Sequence, residues 1–305
     1  MKIQNLKDED MIMENLVGSF TKYATPVFGG PETGTMFDAY VRKQADGRLR
    51  MDLSWRPKKA LAVTFSDDGI HWDEPIITLE RNPESGWEDD LNRNCFMKNP
   101  IGEGYLMWYT GQARGQSWIG VARSEDGIHF ERFLKDPILS PETDFEHMSV
   151  MNPFVMYEDG KFRMWYAAGE TYEPNVICYA ESEDGIHWVK DSRNPIFTCN
   201  HEKEYEQNRI GACDILKDER GYLMFYIGYR DINTACVCAA RSKDGITGWE
   251  RVPENPLVMP TPGTWDECSC YKPTVVREED GTYRLWYNGR NQGAEYIGYA
   301  YGNIK

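Results

Sequence analysis

One short phrase occurs four times along the chain, and it limits what the chain can fold into. Each copy runs Ser-x-Asp-Gly-Ile and ends two or three residues later in Trp or Phe, at residues 66–72, 124–130, 182–188 and 242–249. The glycines of successive copies stand 58, 58 and 60 residues apart. A constant period of this size is typical of repeat architectures, in which every repeat builds the same structural unit.

Each repeat contains four strand-like runs. In the third repeat, residues 153–157 and 161–166 flank a tight turn, and residues 176–180 lead into the Asp-Gly phrase and a fourth run. Asp-Gly between aromatic and β-branched residues indicates a hairpin, and no stretch shows helical periodicity. First strands begin near Asp38, Asn94, Asn152, Cys213 and Lys272. The sequence therefore predicts an all-β fold, a single five-bladed β-propeller of four-stranded antiparallel blades.

The blades are expected at roughly residues 36–80, 92–140, 150–198, 210–259 and 270–302 of the one domain formed by residues 1–305. The last repeat stops after its third strand, whereas residues 16–28 end in a run that resembles the fourth strands of other repeats. We expect this N-terminal strand to complete the last blade, which would leave no open sheet edge in the ring.

The net charge of −15 restricts the partners. An acidic surface repels phosphate backbones and anionic lipids, so neither nucleic acid nor a membrane is expected, whereas a carbohydrate is compatible. The polar N-terminus has no apolar signal core and no run approaches membrane-spanning length, which favours a cytoplasmic location. The eight cysteines form no Cys-x-x-Cys pair and are interpreted as free thiols in a reducing compartment. The oligomeric state is left open.

Propeller topology separates structural from functional residues. The short Asp-Gly turns all lie on one face, so they are interpreted as structural, and the longer connections share the other face, where function usually resides. The first residues of the innermost strands should ring the central channel at that face. We expect this ring to be Asp38, Asn94, Asn152, Cys213 and Lys272.

A second repeated phrase, an aromatic residue followed by an acid, precedes these strands. It occurs as Trp87-Glu88, Phe145-Glu146, Tyr205-Glu206 and Trp265-Asp266-Glu267. The aromatic residues are either sugar-stacking platforms or plugs between blades, and their repetition favours plugs. Several carboxylates around one concave mouth are what glycosidic cleavage requires. The cations of the same face could pair with these acids or with a substrate: Arg93, Arg209, Arg230, Arg290 and Lys272.

These motifs resemble known carbohydrate-active propellers. The Ser-x-Asp-Gly turns resemble the Asp-box turns of sialidases. The five repeats and the Met-Trp-Tyr strands resemble the five-bladed propeller glycosidases, namely glycoside hydrolase family 43 and its relatives in families 32, 62, 117 and 130. This resemblance implies a catalytic Asp at the start of blade one, which Asp38 matches. Asn152 stands where the family has a second Asp, and Ala212-Cys213 stands where it has a Glu.

The resulting hypothesis is a glycosidase that hydrolyses small oligosaccharides or glycosides. Asp38 would be general base or nucleophile and Glu206 the general acid, with Asp214 as a weaker candidate. Substrate contacts are expected from polar and aromatic residues of the same face, namely Asn94, Asn152, Arg209, Lys272, Trp87, Trp265, Glu146 and Glu267. The alternatives are a glycoside phosphorylase and a non-catalytic carbohydrate-binding propeller. No cofactor is expected, and no metal-ligand cluster is legible, although some relatives carry a channel metal ion.

Overall fold

The computed structural model describes residues 18–305, in which the regular structure consists of β-strands and short 3-10 helices. The 3-10 helices span Arg56–Lys58, Pro83–Ser85, Asp144–Glu146 and Glu204–Glu206. The strands are β1 (Thr21–Lys22), β2 (Met36–Lys43), β3 (Leu49–Trp55), β4 (Ala60–Ser66), β5 (Ile76–Glu80), β6 (Asp90–Lys98), β7 (Tyr105–Ala113), β8 (Gln116–Ser124), β9 (Glu131–Arg132), β10 (Ser149–Glu158), β11 (Lys161–Gly169), β12 (Pro174–Ser182), β13 (Val189–Lys190), β14 (Phe197–Thr198), β15 (Arg209–Asp218), β16 (Gly221–Tyr229), β17 (Ala235–Ser242), β18 (Glu250–Arg251), β19 (Ser269–Arg277), β20 (Tyr283–Asn291) and β21 (Ala294–Gly302).

The strands of residues 18–305 pair as five antiparallel meanders. Meander 1 is β2–β5, meander 2 is β6–β9, meander 3 is β10–β14, meander 4 is β15–β18, and meander 5 is β19–β21 with β1. The first strand of each meander contacts the first strands of both neighbouring meanders, so β2, β6, β10, β15 and β19 surround one axis. The all-β propeller class predicted from the repeats is confirmed.

The N-terminal segment closes this ring. β1 pairs with β21 through Thr21 and Lys22, and the Val27 amide donates to the Ile297 carbonyl 2.8 Å away. The segment therefore forms the outer strand of meander 5, as its sequence predicted. Residues 16 and 17 of the predicted strand lie outside the described part of the chain.

The Asp-Gly phrases form identical turns after the third strands of meanders 1 to 4. In the first copy, Asp68 Oδ1 accepts hydrogen bonds from the amides of Ile70 and His71, each at 2.8 Å. Ser66 Oγ accepts the Gly69 amide at 2.7 Å. Gly69 has φ +78°, a left-handed conformation that favours glycine. The phrase is thus a local hydrogen-bonded structure and takes no part in the channel.

Each turn also receives a hydrogen bond from the preceding meander, and we call this contact the inter-meander brace. Trp108 of meander 2 donates its Nε1–H to the Gly185 carbonyl of meander 3 at 2.8 Å. Trp165 donates to Gly245, and Trp286 donates across the ring to Gly69. The indoles are fully buried, so each brace satisfies a donor that would otherwise lack a partner.

Meander 1 builds the same brace without tryptophan. Asp52 stands at the tryptophan position and holds Arg50 through two 2.7 Å hydrogen bonds. Arg50 Nη1 then donates to the Gly127 carbonyl of meander 2 at 2.6 Å, while the guanidinium lies 3.6 Å from the centre of the Phe96 ring. Asp52 is therefore a buried polar partner that orients the brace arginine.

Within residues 18–305, no helix has the length and apolar character needed to cross a membrane.

Candidate active site

A cavity of about 160 Å³ opens at the axis of the ring, on the face opposite the Asp-Gly turns. We call it the axial cavity. All five meanders contribute to its lining, which combines charged groups with tyrosines. The lining residues are Phe37, Asp38, Arg56, Arg93, Asn152, Tyr172, Glu173, Pro174, Ile227, Tyr229, Tyr271, Lys272, Arg290 and Glu295.

A bulge in each first strand supplies the residues that ring the axis. In meander 1, Phe37 pairs with Ser54 and Tyr40 with Asp52, so two residues of β2 face one residue of β3. The first bulge residue has positive φ in all five meanders, between +34° and +58°. These residues are Asp38, Arg93, Asn152, Ala212 and Lys272. Such a backbone is costly for residues other than glycine and is concentrated at functional sites.

This ring corrects two of the expected positions. Arg93 and Ala212 occupy the ring positions that were predicted for Asn94 and Cys213. Each ring residue stands one position earlier in the sequence than predicted. Asn94 is buried, and its side-chain nitrogen lies 3.3 Å from the sulfur of Met107. It therefore does not line the axial cavity, and the cation Arg93 takes its place.

Hydrogen bonds from neighbouring meanders hold three ring residues in the left-handed conformation. The Asp38 amide donates to Asn288 Oδ1 of meander 5 at 2.9 Å. The Arg93 amide donates to Ser54 Oγ of meander 1, and the Asn152 amide to Thr110 Oγ1 of meander 2, both at 3.0 Å. The surrounding sheet thus fixes the direction in which these side chains leave the backbone.

Asp38 is the ring carboxylate, and it is 1% exposed. Its Oδ1 accepts a hydrogen bond from Asn288 Nδ2 at 3.3 Å, and its Oδ2 lies 3.5 Å from both Ser54 Oγ and Arg93 Nε. Two neutral donors and one guanidinium therefore orient the carboxylate, while the longest contacts leave room for a substrate oxygen to compete.

Glu295 lies on another side of the cavity and is already bound. The Tyr271 hydroxyl donates to its Oε1 at 2.6 Å, and Arg56 Nη2 lies 3.1 Å from its Oε2. The Arg56 guanidinium also stacks 4.4 Å from the centre of the Phe37 ring. Glu295 thereby positions an arginine at the cavity and has little capacity left for catalysis.

Glu173 is held in a similar way. Its Oε1 lies 3.4 Å from Arg290 Nη1, and its side chain contacts the Tyr229 hydroxyl. Arg209 donates to the Glu173 carbonyl at 2.7 Å, so this predicted substrate ligand supports the loop rather than lining the cavity.

Lys272 and Asn152 present unsatisfied polar groups to the cavity. The Lys272 side chain is nearly buried, and its ammonium group makes no hydrogen bond within residues 18–305. Burial lowers the pKa of Lys272 below its ordinary value, against the opposing charges of Asp38 and Asp214. The Asn152 Oδ1 is buried and likewise has no partner within the described chain. A buried polar atom without a partner indicates a ligand or a water at that point.

The chain is similar in sequence and in fold to several known proteins. Residues 51–195 match the model of the glycosyl hydrolases family 32 N-terminal domain. The chain is 30% identical over 280 residues to uncharacterized protein Rv1502 of Mycobacterium tuberculosis, and this match covers 88% of both chains. Solved structures with the same fold include a glycoside hydrolase with TM-score 0.75 and 19% identity, which covers 100% of this chain and 97% of that one. Another, a thermostable family-43 glycoside hydrolase, has TM-score 0.72 and 17% identity and covers 91% of both.

The chain belongs to the same family as Rv1502, and it has the fold of the propeller glycosidases.

Several other relatives have named activities. The chain is 26% identical over 174 residues to the 1,2-beta-oligomannan phosphorylase of a Thermoanaerobacter species, covering 56% of this chain and 53% of the relative. It is 32% identical over 138 residues to the beta-1,2-mannobiose phosphorylase of the same species, covering 39% of this chain and 44% of the relative. It is also 24% identical to an N-acetyl-alpha-D-galactosamine deacetylase of Flavonifractor plautii, of which it covers 35%.

The second carboxylate expected from the propeller glycosidases is not at the cavity. Glu206 is fully buried beneath meander 4, where Tyr226 donates to its Oε2 at 2.6 Å. Its Oε1 accepts the Asn200 amide at 2.9 Å and a hydrogen bond from Arg251. Both carboxylate oxygens accept hydrogen bonds, and Glu206 does not line the axial cavity, so the structure does not support it as the general acid.

The same acid–tyrosine–base contact recurs in four meanders, and we call it the strand lock. In meander 3, Glu146 accepts from the Tyr166 hydroxyl at 3.0 Å and lies 2.9 Å from Lys190 Nζ. Burial opposes ionisation of Glu146, but hydrogen bonds led by that from Lys190 hold its pKa below the ordinary value. The predicted substrate ligand Glu146 is therefore structural. The four locks are Glu88–Tyr109–Arg132, Glu146–Tyr166–Lys190, Glu206–Tyr226–Arg251 and Asp266–Tyr287–Lys22.

The aromatic members of the phrase are plugs rather than sugar platforms. Trp87 is buried and stacks on Tyr109 with 6.0 Å between ring centres and 14° between planes. Trp265 stacks on Tyr287 at 5.9 Å and 24°. The acid after Trp265 that was expected to bind substrate, Glu267, instead accepts the Gly263 amide at 2.8 Å.

Asp214 is also structural. It forms a two-point ion pair with Arg42, at 2.6 and 3.1 Å, and accepts a hydrogen bond from the Val275 amide at 2.8 Å.

A channel metal ion, which some propeller glycosidases carry, does not fit this axis, because Lys272, Arg93 and Arg42 already place positive charge along it. The described residues also contain no group of three or more His, Cys, Asp or Glu that could hold a metal.

Of the predicted site residues, the cavity brings together Asp38, Asn152 and Lys272, with Arg93 and Arg290 from the predicted cations. The sequence reasoning missed several cavity residues because they do not recur at equivalent positions of the repeats. These are Arg56, Tyr172, Glu173, Tyr229, Tyr271 and Glu295. Their common signal was a departure from the repeat within a long connection or at the end of a strand.

Proposed function

We propose that the protein cleaves a glycosidic bond by phosphorolysis, with Asp38 as the general acid. One observation carries this proposal: four cations line the cavity together with Asp38, a carboxylate whose side-chain contacts are all 3.3 Å or longer, in a protein whose net charge is −15. The cations are Arg56, Arg93, Lys272 and Arg290. The lining of four cations and three acids therefore carries a net positive charge, whereas the whole protein is strongly acidic.

The cations suit an oxyanion that reacts in the cavity. Arg290 is held in place by Glu173, and a guanidinium group fixed in this way suits paired hydrogen bonds to phosphate oxygens. Lys272 contributes a point charge that finds no hydrogen-bond partner in the described chain until a ligand enters. Donors that are preorganised in this way stabilise charge without reorganisation during the reaction.

The proposed reaction needs one protein carboxyl group. A phosphate oxygen attacks the anomeric carbon, and the bond between that carbon and the glycosidic oxygen breaks. The protonated Asp38 carboxyl donates its proton to the departing oxygen, and the phosphate hydroxyl then returns a proton to Asp38. The products are a glycosyl phosphate and the free leaving sugar. Hydrolysis would need a further carboxylate to activate water, and both other cavity acids are tied to an arginine and a tyrosine.

The named relatives support this choice and suggest a first substrate. Two of them are phosphorylases of 1,2-β-linked mannosides, although each match covers about half of the chain or less. Oligosaccharides of β-1,2-linked mannose are therefore the first compounds to test, followed by other disaccharides.

Hydrolysis remains the second candidate, because Glu173 and Glu295 line the same cavity as Asp38. If either one is released from its arginine when substrate binds, it could activate water. A separation of about 6.5–9.5 Å between the two working carboxyl groups would then imply inversion, and about 5–5.5 Å retention.

The test measures products from β-1,2-mannobiose and a disaccharide panel, with and without inorganic phosphate. Phosphorolysis predicts a glycosyl phosphate that forms only when phosphate is present, and loss of a general acid should slow it about 10²- to 10⁴-fold in Asp38→Asn. Asp136→Asn, an exposed aspartate outside the cavity, is the matched control and should keep full activity.

The other outcomes contradict the proposal in different ways. Release of free sugar at the same rate without phosphate, abolished by Asp38→Asn, would establish a hydrolase. Sugar binding without turnover, unchanged in Asp38→Asn, would establish a non-catalytic binding protein.

A further inference from the structure

We propose that a second cavity, lying over meander 2, binds the sugar that departs with the glycosidic oxygen, and that this sugar is uncharged. We call it the side cavity, and its volume is about 300 Å³. The inference rests on the proposed function and extends it in two ways. It states which cavity holds the leaving sugar, and it states that this sugar is neutral.

The two cavities adjoin each other. Phe37, Arg56, Arg93 and Tyr172 line both of them. The remaining side-cavity residues lie between β3 and β4 of meander 1, along the inner three strands of meander 2 and just before them, and in one loop of meander 3. They are Lys59, Asp89, Asp90, Asn92, Gln112, Ala113, Arg114, Gly115, Gln116 and Thr171.

The place of the leaving sugar follows from the position of Asp38. The side cavity continues past Arg93, the cation in contact with Asp38, so a sugar there would present its glycosidic oxygen close to the acid. Lys272 and Arg290 line only the axial cavity. They belong to meander 5, which lies on the other side of Asp38 from meander 2. This arrangement puts phosphate and leaving group on opposite sides of the reacting sugar, as an in-line displacement requires.

The charge of the side cavity is balanced. Arg56 and Arg93 are already committed to Glu295 and Asp38. The cations that remain are Lys59 and Arg114, and the acids Asp89 and Asp90 offset them. Once these pairs are set aside, an anionic sugar would meet no excess of positive charge in the side cavity.

Amide groups provide the hydrogen bonds that sugar hydroxyls need. Asn92 Nδ2 donates to Gln112 Oε1 at 2.7 Å, and Gln112 Nε2 donates to Ser117 Oγ at 3.1 Å, so these amides are fixed. Gln116 also lines the side cavity, and its side-chain amide makes no hydrogen bond within residues 18–305. Tyr172, which is 70% exposed, stands between the two cavities and offers an aromatic face. A few fixed polar groups beside an aromatic surface are typical of small-ligand sites.

The first test compares two donors that carry the same transferred sugar. One is the disaccharide that the enzyme cleaves, and the other is the corresponding glycosyl fluoride, whose leaving group is too small to enter the side cavity. Gln116→Ala should lower kcat/KM for the disaccharide about tenfold, the effect of one lost hydrogen bond, and leave the fluoride unchanged. Gln207→Ala, an exposed glutamine outside both cavities, is the matched control. An equal loss with both donors would overturn the inference.

The second test measures binding, so that it does not depend on turnover. Saturation-transfer NMR would follow free mannose, glucose, galactose and N-acetylglucosamine, together with their 6-phosphates, on the full chain. The inference predicts that at least one neutral sugar binds, that Gln116→Ala weakens it and that Asp38→Asn does not. Preferred binding of a 6-phosphate, or a neutral-sugar signal unaffected by Gln116→Ala, would contradict it. If wild type binds as expected but never forms a glycosyl phosphate, the proposed function alone has failed.

Discussion

At the scale of single residues, Lys272 shows how the axial cavity departs from what the fold alone would favour. Its ammonium group is nearly buried, stands on a left-handed backbone and finds no hydrogen bond within the described residues. Burial of a cation without a direct partner destabilises the folded state, so a residue of this kind is expected to have a functional role.

Replacing Lys272 should therefore separate stability from activity. Lys272→Met is expected to raise the free energy of unfolding by about 1–3 kcal/mol at pH 7, because a flexible apolar chain replaces a buried charge. The Michaelis constant for phosphate should rise at least about tenfold, since a charge-assisted hydrogen bond to phosphate is lost. Denaturant unfolding and initial rates at varied phosphate measure the two effects.

The pH dependence gives this prediction an internal check. The pKa of Lys272 is lowered in the folded state, so the folded protein sheds this proton at a lower pH than the unfolded chain does. The penalty is full below the folded pKa and disappears as the pH rises toward the ordinary lysine value of about 10.4. The stability advantage of Lys272→Met should shrink over that range, and an advantage that is constant with pH would contradict this explanation.

The sequence placed Asp38, Asn152 and Lys272 at the mouth but missed the other ring members by one residue. Side-chain alternation along a strand cannot reveal a bulge, and one inserted residue exchanges Asn94 for Arg93. That shift replaces a neutral amide by a guanidinium beside Asp38. The sequence analysis named Arg93 as a cation of this face but did not place it in the ring.

At the scale of structural elements, the repeats correctly predicted the Asp-Gly turns. The same repetition explains why an acid follows an aromatic residue before four of the meanders. Glu88, Glu146, Glu206 and Asp266 recur because each one locks a second strand to a fourth strand. Three of the matching bases, Arg132, Lys190 and Arg251, follow the Asp-Gly phrases at similar distances along the chain, so their pairing was present in the sequence. The cavity residues, in contrast, lie where the repeats differ from one another. A search for repeated residues therefore does not find them.

The brace of meander 1 should depend on both of its charged members. Asp52→Leu leaves the Arg50 guanidinium buried without its counter-charge, which is expected to cost about 3–5 kcal/mol of unfolding free energy. The double variant Arg50→Leu, Asp52→Trp should recover much of this loss, because the new indole can donate to the Gly127 carbonyl as the other braces do. Guanidinium chloride unfolding compares the variants, and a double variant no more stable than Asp52→Leu would refute the equivalence.

The Asp-Gly turns should lose stability in acid. Hydrogen bonds from the His71 side chain, and then from the amides of His71 and Ile70, hold the pKa of Asp68 well below its ordinary value. Its stabilising effect is present above the ordinary value of about 3.9 and is lost as the pH falls toward the folded pKa.

Asp68→Ala should accordingly be less stable than wild type by about 1 kcal/mol at pH 7, the usual effect of losing a capping carboxylate. The difference should be smaller at pH 3. Asp67→Ala, which removes a neighbouring exposed carboxylate, controls for net charge. Urea midpoints at both pH values measure the effect, and an undiminished difference at pH 3 would contradict it.

At the scale of the whole molecule, one lysine joins the two ends of the ring. Lys22 lies on β1 and contacts Asp266 at 2.6 Å, so the N-terminal strand supplies the base of the last strand lock. Asp266 is buried, and hydrogen bonds led by that from Lys22 hold its pKa below the ordinary value despite burial.

Lys22→Met should weaken closure as well as stability. The buried Asp266 would lose its counter-charge, at a cost of about 3 kcal/mol, and β1 would separate more readily from β21. Amide exchange should therefore accelerate at residues 21–28 more than elsewhere. Lys190→Met removes the corresponding base of meander 3 and should cost similar stability without that local effect. Equal exchange at residues 21–28 in both variants would show that Lys22 has no special role in closure.

The absence of one brace follows from the way in which the ring closes. Braces join meander 1 to 2, 2 to 3, 3 to 4 and 5 to 1, but Phe225 stands at the donor position of meander 4 and offers no hydrogen. Its partner would be an Asp-Gly turn after β21, and no such turn is formed, because the outer strand of meander 5 comes from the other end of the described chain. A circularly permuted protein, in which residues 18–28 followed β21 through a new Asp-Gly turn, would regain that carbonyl. Tryptophan at position 225, which has nothing to bind in the present chain order, would then become the stabilising choice.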